Sequence, residues 1–204
     1  MADISAFKAN LALGGARANQ FYVQLQFPAS VGAGPIIGQK GQFLCKGAQL
    51  PASTIDNTPV QYRGRQVNFA GERTFAPWTI TILNDNDFAL RNAFEAWMNS
   101  INNNQTNTGT IIPNQYQVDM QVYQLDRNGN AVKEYKFIDA YPTEVSAIEL
   151  NFDTNNQIEE FTVTLQYNYW TSQSTAGNGA FGVGVTVNTP IGNLPLPVRI
   201  PGIN

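Results

Sequence analysis

The sequence predicts a mainly β protein: an antiparallel β-barrel or sandwich with one flanking α-helix and a long projecting hairpin arm. Three observations carry this. Phe161, Val163, Leu165, Tyr167 and Tyr169 alternate with Thr162, Thr164, Gln166 and Asn168. That is the period of two expected of a half-buried strand, whose successive side chains point to opposite faces. Leu90, Phe94, Trp97, Met98 and Ile101 recur at helical spacing, and one apolar stripe of this kind must lie on a sheet. Residues 54–75 read as two long strands with few apolar side chains, too few for a private core.

Along the chain, Ile4, Phe7 and Leu11 fall at helical spacing, so residues 4–11 form a short helix within an N-terminal arm, 1–20. The barrel domain spans 21–170. Its first strand is Phe21 to Phe27, with Phe21, Val23, Leu25 and Phe27 on one side. The Gly- and Pro-rich segment 29–41 reads as a loop. Strands are expected at 42–50, 54–61 and 63–70, the last two joined by little more than Tyr62, and another at 78–83. The helix is expected over about 86–101, capped by Asp85 or Asp87, whose carboxylates can accept from the first unpaired N–H groups. Residues 116–125 and 131–138 pair across Asp126-Arg127-Asn128-Gly129-Asn130, where Asn-Gly suits a tight turn. Residues 143–152 and 158–170 form a second hairpin. The remainder, 171–204, is a Gly- and Pro-rich extension with Arg199 as its only charge.

Composition narrows the function. Of 204 residues, 13% are charged, about half the usual share. Roughly one residue in five is Asn or Gln instead. An amide surface is cheaper to desolvate than a charged one, which suits a chain packed against copies of itself. The net charge is −3, and no basic cluster marks a nucleic-acid binder. The single cysteine, Cys45, reads as a buried small hydrophobe, since no histidine exists to activate it. No run reaches the ~20 apolar residues of a membrane span, and the N-terminus lacks a signal-peptide pattern, so assembly in the cytoplasm is expected.

The absence of histidine removes the commonest general base, the usual zinc ligands and the serine triad. Paired carboxylates remain, at Asp85/Asp87 and Glu159/Glu160. The first pair is better used to cap the helix, and the second points to opposite faces of a strand. Gly177 to Gly182 spells G-x-G-x-x-G, but the strand-like Val183-Gly184-Val185-Thr186-Val187 follows where a dinucleotide site needs a helix. Asp126 begins a run resembling a calcium loop, yet Phe137 holds the position of the bidentate Glu. No enzyme, cofactor or metal is expected. On the arm, Arg63, Arg65, Glu72 and Arg73 are either ordinary surface charges or docking charges, and Phe75 completes the set of contact candidates.

The order of several short motifs resembles the tail tube proteins of contractile-tailed bacteriophages. They are Ala16-Arg17-Ala18-Asn19, Phe43-x-Cys45-Lys46, Leu50-Pro51-Ala52 and Pro59-Val60, then Gly71-Glu72-Arg73-Thr74-Phe75-x-x-Trp78-Thr79 and Asn84-Asp85. Tyr141-Pro142-Thr143-x-Val145 and Tyr169-Trp170 complete the set. The resemblance implies a structural subunit of the virion tail whose six-membered rings merge their strands into one barrel and stack through arms. Its partners would be copies of itself, a contractile sheath protein, a baseplate tube initiator and a tail terminator, with viral DNA crossing the lumen without specific binding. A tube initiator, or the tube of a contractile injection system, fits the same residues. A monomeric carbohydrate-binding sandwich using Tyr22 and Tyr62 is the reading from another class.

Overall fold

The computed structural model describes residues 3–11, 15–32, 35–153 and 155–173. A short helix, α1 (Ile4–Asn10), opens the chain; Asp3 caps it by accepting from Ser5 N, and none of its residues is buried. Then come β1 (Phe21–Gln24), α2 (Pro35–Leu44), β2 (Cys45–Ala48), β3 (Ser53–Tyr62), β4 (Arg65–Phe75), β5 (Trp78–Leu83) and α3 (Ala89–Ile101). The chain continues through β6 (Val118–Leu125), β7 (Ala131–Val145), β8 (Glu160–Gln166) and β9 (Tyr169–Gln173).

All strand pairings are antiparallel, in the order β1-β6-β7-β8-β5-β2, with β9 also on β7. The path ends at β1 and β2, which do not pair, so the barrel is open. The long β7 explains the two layers. Its first half pairs with β6 on one edge and β9 on the other, and its last residues, 141–145, pair with β8. At the change of layer Asp139 takes φ 57°, and its carboxylate accepts from Asn168 Nδ2 at 2.9 Å.

The inward faces close on one apolar core. Val23, Met120, Val122 and Phe137 meet Trp78, Ile80, Ile82, Phe161, Val163 and Leu165, and Trp78 stacks on Phe137 at 4.1 Å. The α3 stripe packs into this core, with Leu90, Phe94 and Trp97 at 1% exposure or less. Phe27 lies edge-on to Phe94 at 5.1 Å and to Trp97 at 5.8 Å, so the alternating face of β1 continues past the end of its ladder.

Several expectations are revised. The segment 29–41 is not all loop: α2 is a second helix, starting at Pro35, where a missing N–H costs nothing. Its glycines serve contact rather than flexibility, since a Cβ on Gly38 would stand 2.6 Å from the Leu25 carbonyl oxygen, and one on Gly41 2.6 Å from Leu25 Cδ1. The expected strand 42–50 shrinks to Cys45–Ala48. Phe43 is helical and 84% exposed, so it does not share a buried face with Cys45. The arm turns at Arg63-Gly64 rather than at Tyr62, both with positive φ. Helix α3 starts at Ala89, whose N–H donates to Asp85 Oδ1 at 3.2 Å. The expected strand 158–170 breaks at Tyr167-Asn168 into β8 and β9, and of the expected strand 143–152 only 143–145 is strand, as the end of β7. The turn 126–130 stands as expected, with Asp126 Oδ1 accepting from the N–H of Asn128 and of Asn130, each at 2.8 Å. The G-x-G-x-x-G run, and the extension beyond Gln173, lie outside the described residues.

Lys40 joins the two flanking helices. Its Nζ donates to Asp85 at 2.9 Å and to Asp87 at 3.1 Å. The hydrogen bond from Lys40 holds the Asp85 carboxyl below its ordinary range, and the bonds to Asp85 and Asp87 raise Lys40. A depressed carboxyl contributes stability that is present above its unfolded pKa, about 3.9, and lost as pH falls through the folded value. A raised lysine contributes below about 10.4 and loses it as pH climbs through the folded value. Thermal melts across pH are expected to show both limbs, and Asp85→Asn to flatten the acid one. An unchanged acid limb in the variant would place the sensitivity elsewhere.

Candidate assembly surfaces

Strands β3 and β4 pair only with each other, and every residue of β3 is exposed. Their register reads Thr58↔Phe69, Pro59↔Asn68, Val60↔Val67, Gln61↔Gln66 and Tyr62↔Arg65. Alternate residues share a face, so one face of the outer arm carries Thr58, Val60, Tyr62, Arg65, Val67 and Phe69. The other carries Asn57, Pro59, Gln61, Gln66 and Asn68. The amide face is knit together: Asn57 Nδ2 and Gln66 Nε2 both donate to Asn68 Oδ1, at 3.1 and 2.8 Å. Across the arm, Val60, Tyr62, Val67 and Phe69 are 42–62% exposed, and none of them packs on the core cluster. An amphipathic ribbon with a bare apolar face is built to be covered.

The residues singled out from sequence divide between the ends of this ribbon. Arg63 and Arg65 lie at the tip, where the Arg63 guanidinium sits 5.4 Å from the Tyr62 ring centre. Glu72 and Arg73 lie near the root, beside the register shift opposite Asp56; no ion pair joins them among the described residues. Phe75 ends β4 half-buried, its ring centre 6.1 Å from that of Tyr167, and the Tyr167 hydroxyl donates to the Ala76 carbonyl at 2.8 Å. Sequence reasoning weighed the charges and passed over the apolar face. Its signal was present: Val60 and Val67 stand at equal spacing either side of Arg63-Gly64, each followed two residues on by an aromatic, Tyr62 and Phe69.

A second surface is the outer edge of β9, which pairs β7 alone. Beside it the Trp170 indole N–H is buried without an acceptor among the described residues, a state that costs free energy unless a partner arrives. The carboxylate pairs offer no chemistry: Asp85 and Asp87 hold Lys40, Glu159 accepts from Asn84, and Glu160 pairs with Lys46. Burial pushes the Cys45 thiol up to about 12, so it is inert at neutral pH. Tyr22 stacks on Tyr123 at 4.5 Å on the face of β1 and β6 turned away from the core, whereas Tyr62 is at the arm tip, so the two form no common sugar platform.

Residues 16–173 match the phage tail tube protein family. The chain belongs to this family. It is 37% identical over 158 residues to the tail tube protein gp19 of Enterobacteria phage T4, covering 76% of this chain and 90% of that protein. It is 27% identical over 169 residues to the tail tube protein of Serratia phage KSP90, covering 82% and 95%. Among solved structures, the tube-terminating cap of the anti-feeding prophage shares the fold, with TM-score 0.58, 18% identity, and coverage of 78% of this chain and 91% of that one. So does a chain of the PVC extracellular contractile injection system sheath–tube complex, with TM-score 0.52, 14% identity, and coverage of 85% and 99%. The phage tail tube chain is therefore a structural subunit of the virion tail and not an enzyme. No helix among its described residues is long and apolar enough to cross a membrane.

Proposed function

We propose that this tail tube subunit forms hexameric rings that stack into the inner tube of a contractile tail, inside a sheath and between a baseplate initiator and a tail terminator. The observation that carries the reading is the arm. A two-stranded ribbon is marginal in water unless its apolar face is packed, and a stacked ring supplies that packing. Free strand edges invite aggregation, and joining them between subunits removes the hazard. The structural relatives from a sheath–tube complex and a tube cap support the same setting. Electron microscopy of the purified protein tests it: rings and tubes are expected, whereas a persistent 22.4 kDa monomer would overturn it.

The arm tip gives a finer test. Reversing Arg63 and Arg65 to Glu should leave the subunit folded, because both are exposed, while impairing the stacking of rings. Tubes of normal length from the double variant, seen in negative stain, would rule out docking through these charges.

The lumen of the tube is a passage for DNA rather than a binding site. Thr79 and Thr81 face Thr164 and Thr162 across the β5–β8 ladder, on the side opposite the core. Lys136 on the other layer is neutralised by Asp119 at 2.6 Å. Six copies at −3 carry about −18 per ring, which repels a polyanion and gives no counterion-release gain. Assembled tubes are expected to bind duplex DNA weakly at physiological salt. Micromolar affinity with a steep salt dependence would reveal a basic lumen.

A further inference from the structure

We propose that the apolar face of the arm of one copy docks on the β7–β8 connection, around residues 149–153, of a copy in the next ring. This contact rests on the stacked-ring reading and names its two halves. One half is the arm face: Val60, Tyr62, Val67 and Phe69 are exposed, Arg65 shares their face by register, and the Arg63 guanidinium lies against the Tyr62 ring. It is an apolar strip with two cations at its tip. A surface that covers it needs apolar side chains with carboxylates beside them. The run Glu149-Leu150-Asn151-Phe152-Asp153 has that composition. Leu150 is 80% exposed and Phe152 wholly so, with Ile158 at 67% further along the same connection. Two large apolar side chains this exposed and this close together mark a contact surface rather than a scatter. Glu149 and Asp153 flank them and are exposed too. Among the described residues no ion pair holds either carboxylate, or Arg63 or Arg65.

Strand register roots the two halves at opposite ends of one layer. Trp78 pairs with Leu165 at one end of the β5–β8 ladder, and Leu83 pairs with Glu160 at the other. The arm is rooted at the Trp78 end, where β4 stops at Phe75 and the Tyr167 hydroxyl donates to the Ala76 carbonyl. The β7–β8 connection rejoins the sheet at the Leu83 end, where the Asn84 N–H donates to the Glu159 carbonyl at 2.8 Å. About 17 Å of strand lies between the two roots. A surface at one end that fits a different surface at the other makes a heterologous contact, which leaves one half free on each outermost copy and repeats without closing. That is the symmetry of a stack. Arm against arm would instead be isologous, would set Arg63 and Arg65 against their own kind, and would stop at two copies.

Charge exchange tests this. Arg63→Glu with Arg65→Glu, and separately Glu149→Arg with Asp153→Arg, are each expected to raise the protein concentration needed for tubes by about tenfold or more, at an unchanged melting temperature. All four changes together are expected to restore tubes, because the pairing is inverted rather than lost. A quadruple variant no better than either pair overturns the proposal, and so do normal tubes from the Glu149 and Asp153 pair. As a second measurement, tubes are co-assembled from Val67→Cys chains and Phe152→Cys chains and treated with a short bismaleimide; the buried Cys45 thiol stays silent. A linked dimer is expected from the mixture and from neither chain alone, and the mixture admits no link within one chain. Tubes without that dimer overturn the docking and leave the stacked-ring reading standing. The same dimer from single, unstacked rings would place the contact within a ring and overturn it as well. Absence of tubes from the unmodified chain would remove the tube reading itself, and the docking with it.

Discussion

Replacing Val67 and Phe69 together with aspartate is expected to abolish tubes while leaving the subunit folded. Both side chains are exposed, at 42% and 57%, and neither belongs to the core cluster, so the monomer loses almost nothing. In the assembly proposed above they lie at the covered face of the arm. Each carboxylate buried there without a partner costs several kcal/mol, and a ring repeats that cost at every copy. The expected readout is loss of tubes in negative stain, with a melting temperature close to that of the unassembled wild type. Normal tubes would show that the apolar face of the arm stays in water. A large drop in melting temperature would show instead that the arm supports the barrel.

Trp97→Ala is expected to cost about 3–5 kcal/mol of subunit stability. The indole is fully buried, packs against Phe27 and Phe94, and donates from Nε1 to the Tyr116 carbonyl at 2.8 Å. Alanine removes the transfer free energy of the ring, leaves a cavity under α3, and orphans that carbonyl. For a chain of this size the loss corresponds to a fall of roughly 6–20 °C in melting temperature. Calorimetry on unassembled protein measures it. An unchanged midpoint would mean that α3 does not close the core.

The local signals that proved legible were those that need no partner. Phe161, Val163 and Leu165 announce a half-buried strand by period alone, and Leu90, Phe94 and Trp97 announce a helix stripe. What escaped depended on tertiary neighbours. Gly38 and Gly41 look like loop residues until Leu25 is seen against them. The break at Asn168 is hidden because apolar alternation continues across it from Tyr167 to Tyr169. Its cause is on another strand, where Asp139 turns into the left-handed region and holds the Asn168 amide. The arm was visible as an arm, but its apolar face was divided between two strands. Only the register set by Arg63-Gly64 brings Val60 beside Val67.

The passage of β7 from one layer to the other bears on how the subunit resists force. In a sandwich whose layers touch only through side chains, shear is opposed by dispersion contacts, each worth a fraction of a kcal/mol. Here a single backbone is laced into β6 and β9 at one end and into β8 at the other. A displacement of one layer against its fellow must therefore stretch covalent bonds or unlace a ladder, and cannot proceed by slippage. The wall element built from this chain is keyed rather than laminated, so an axial thrust reaches both of its faces through the same strand.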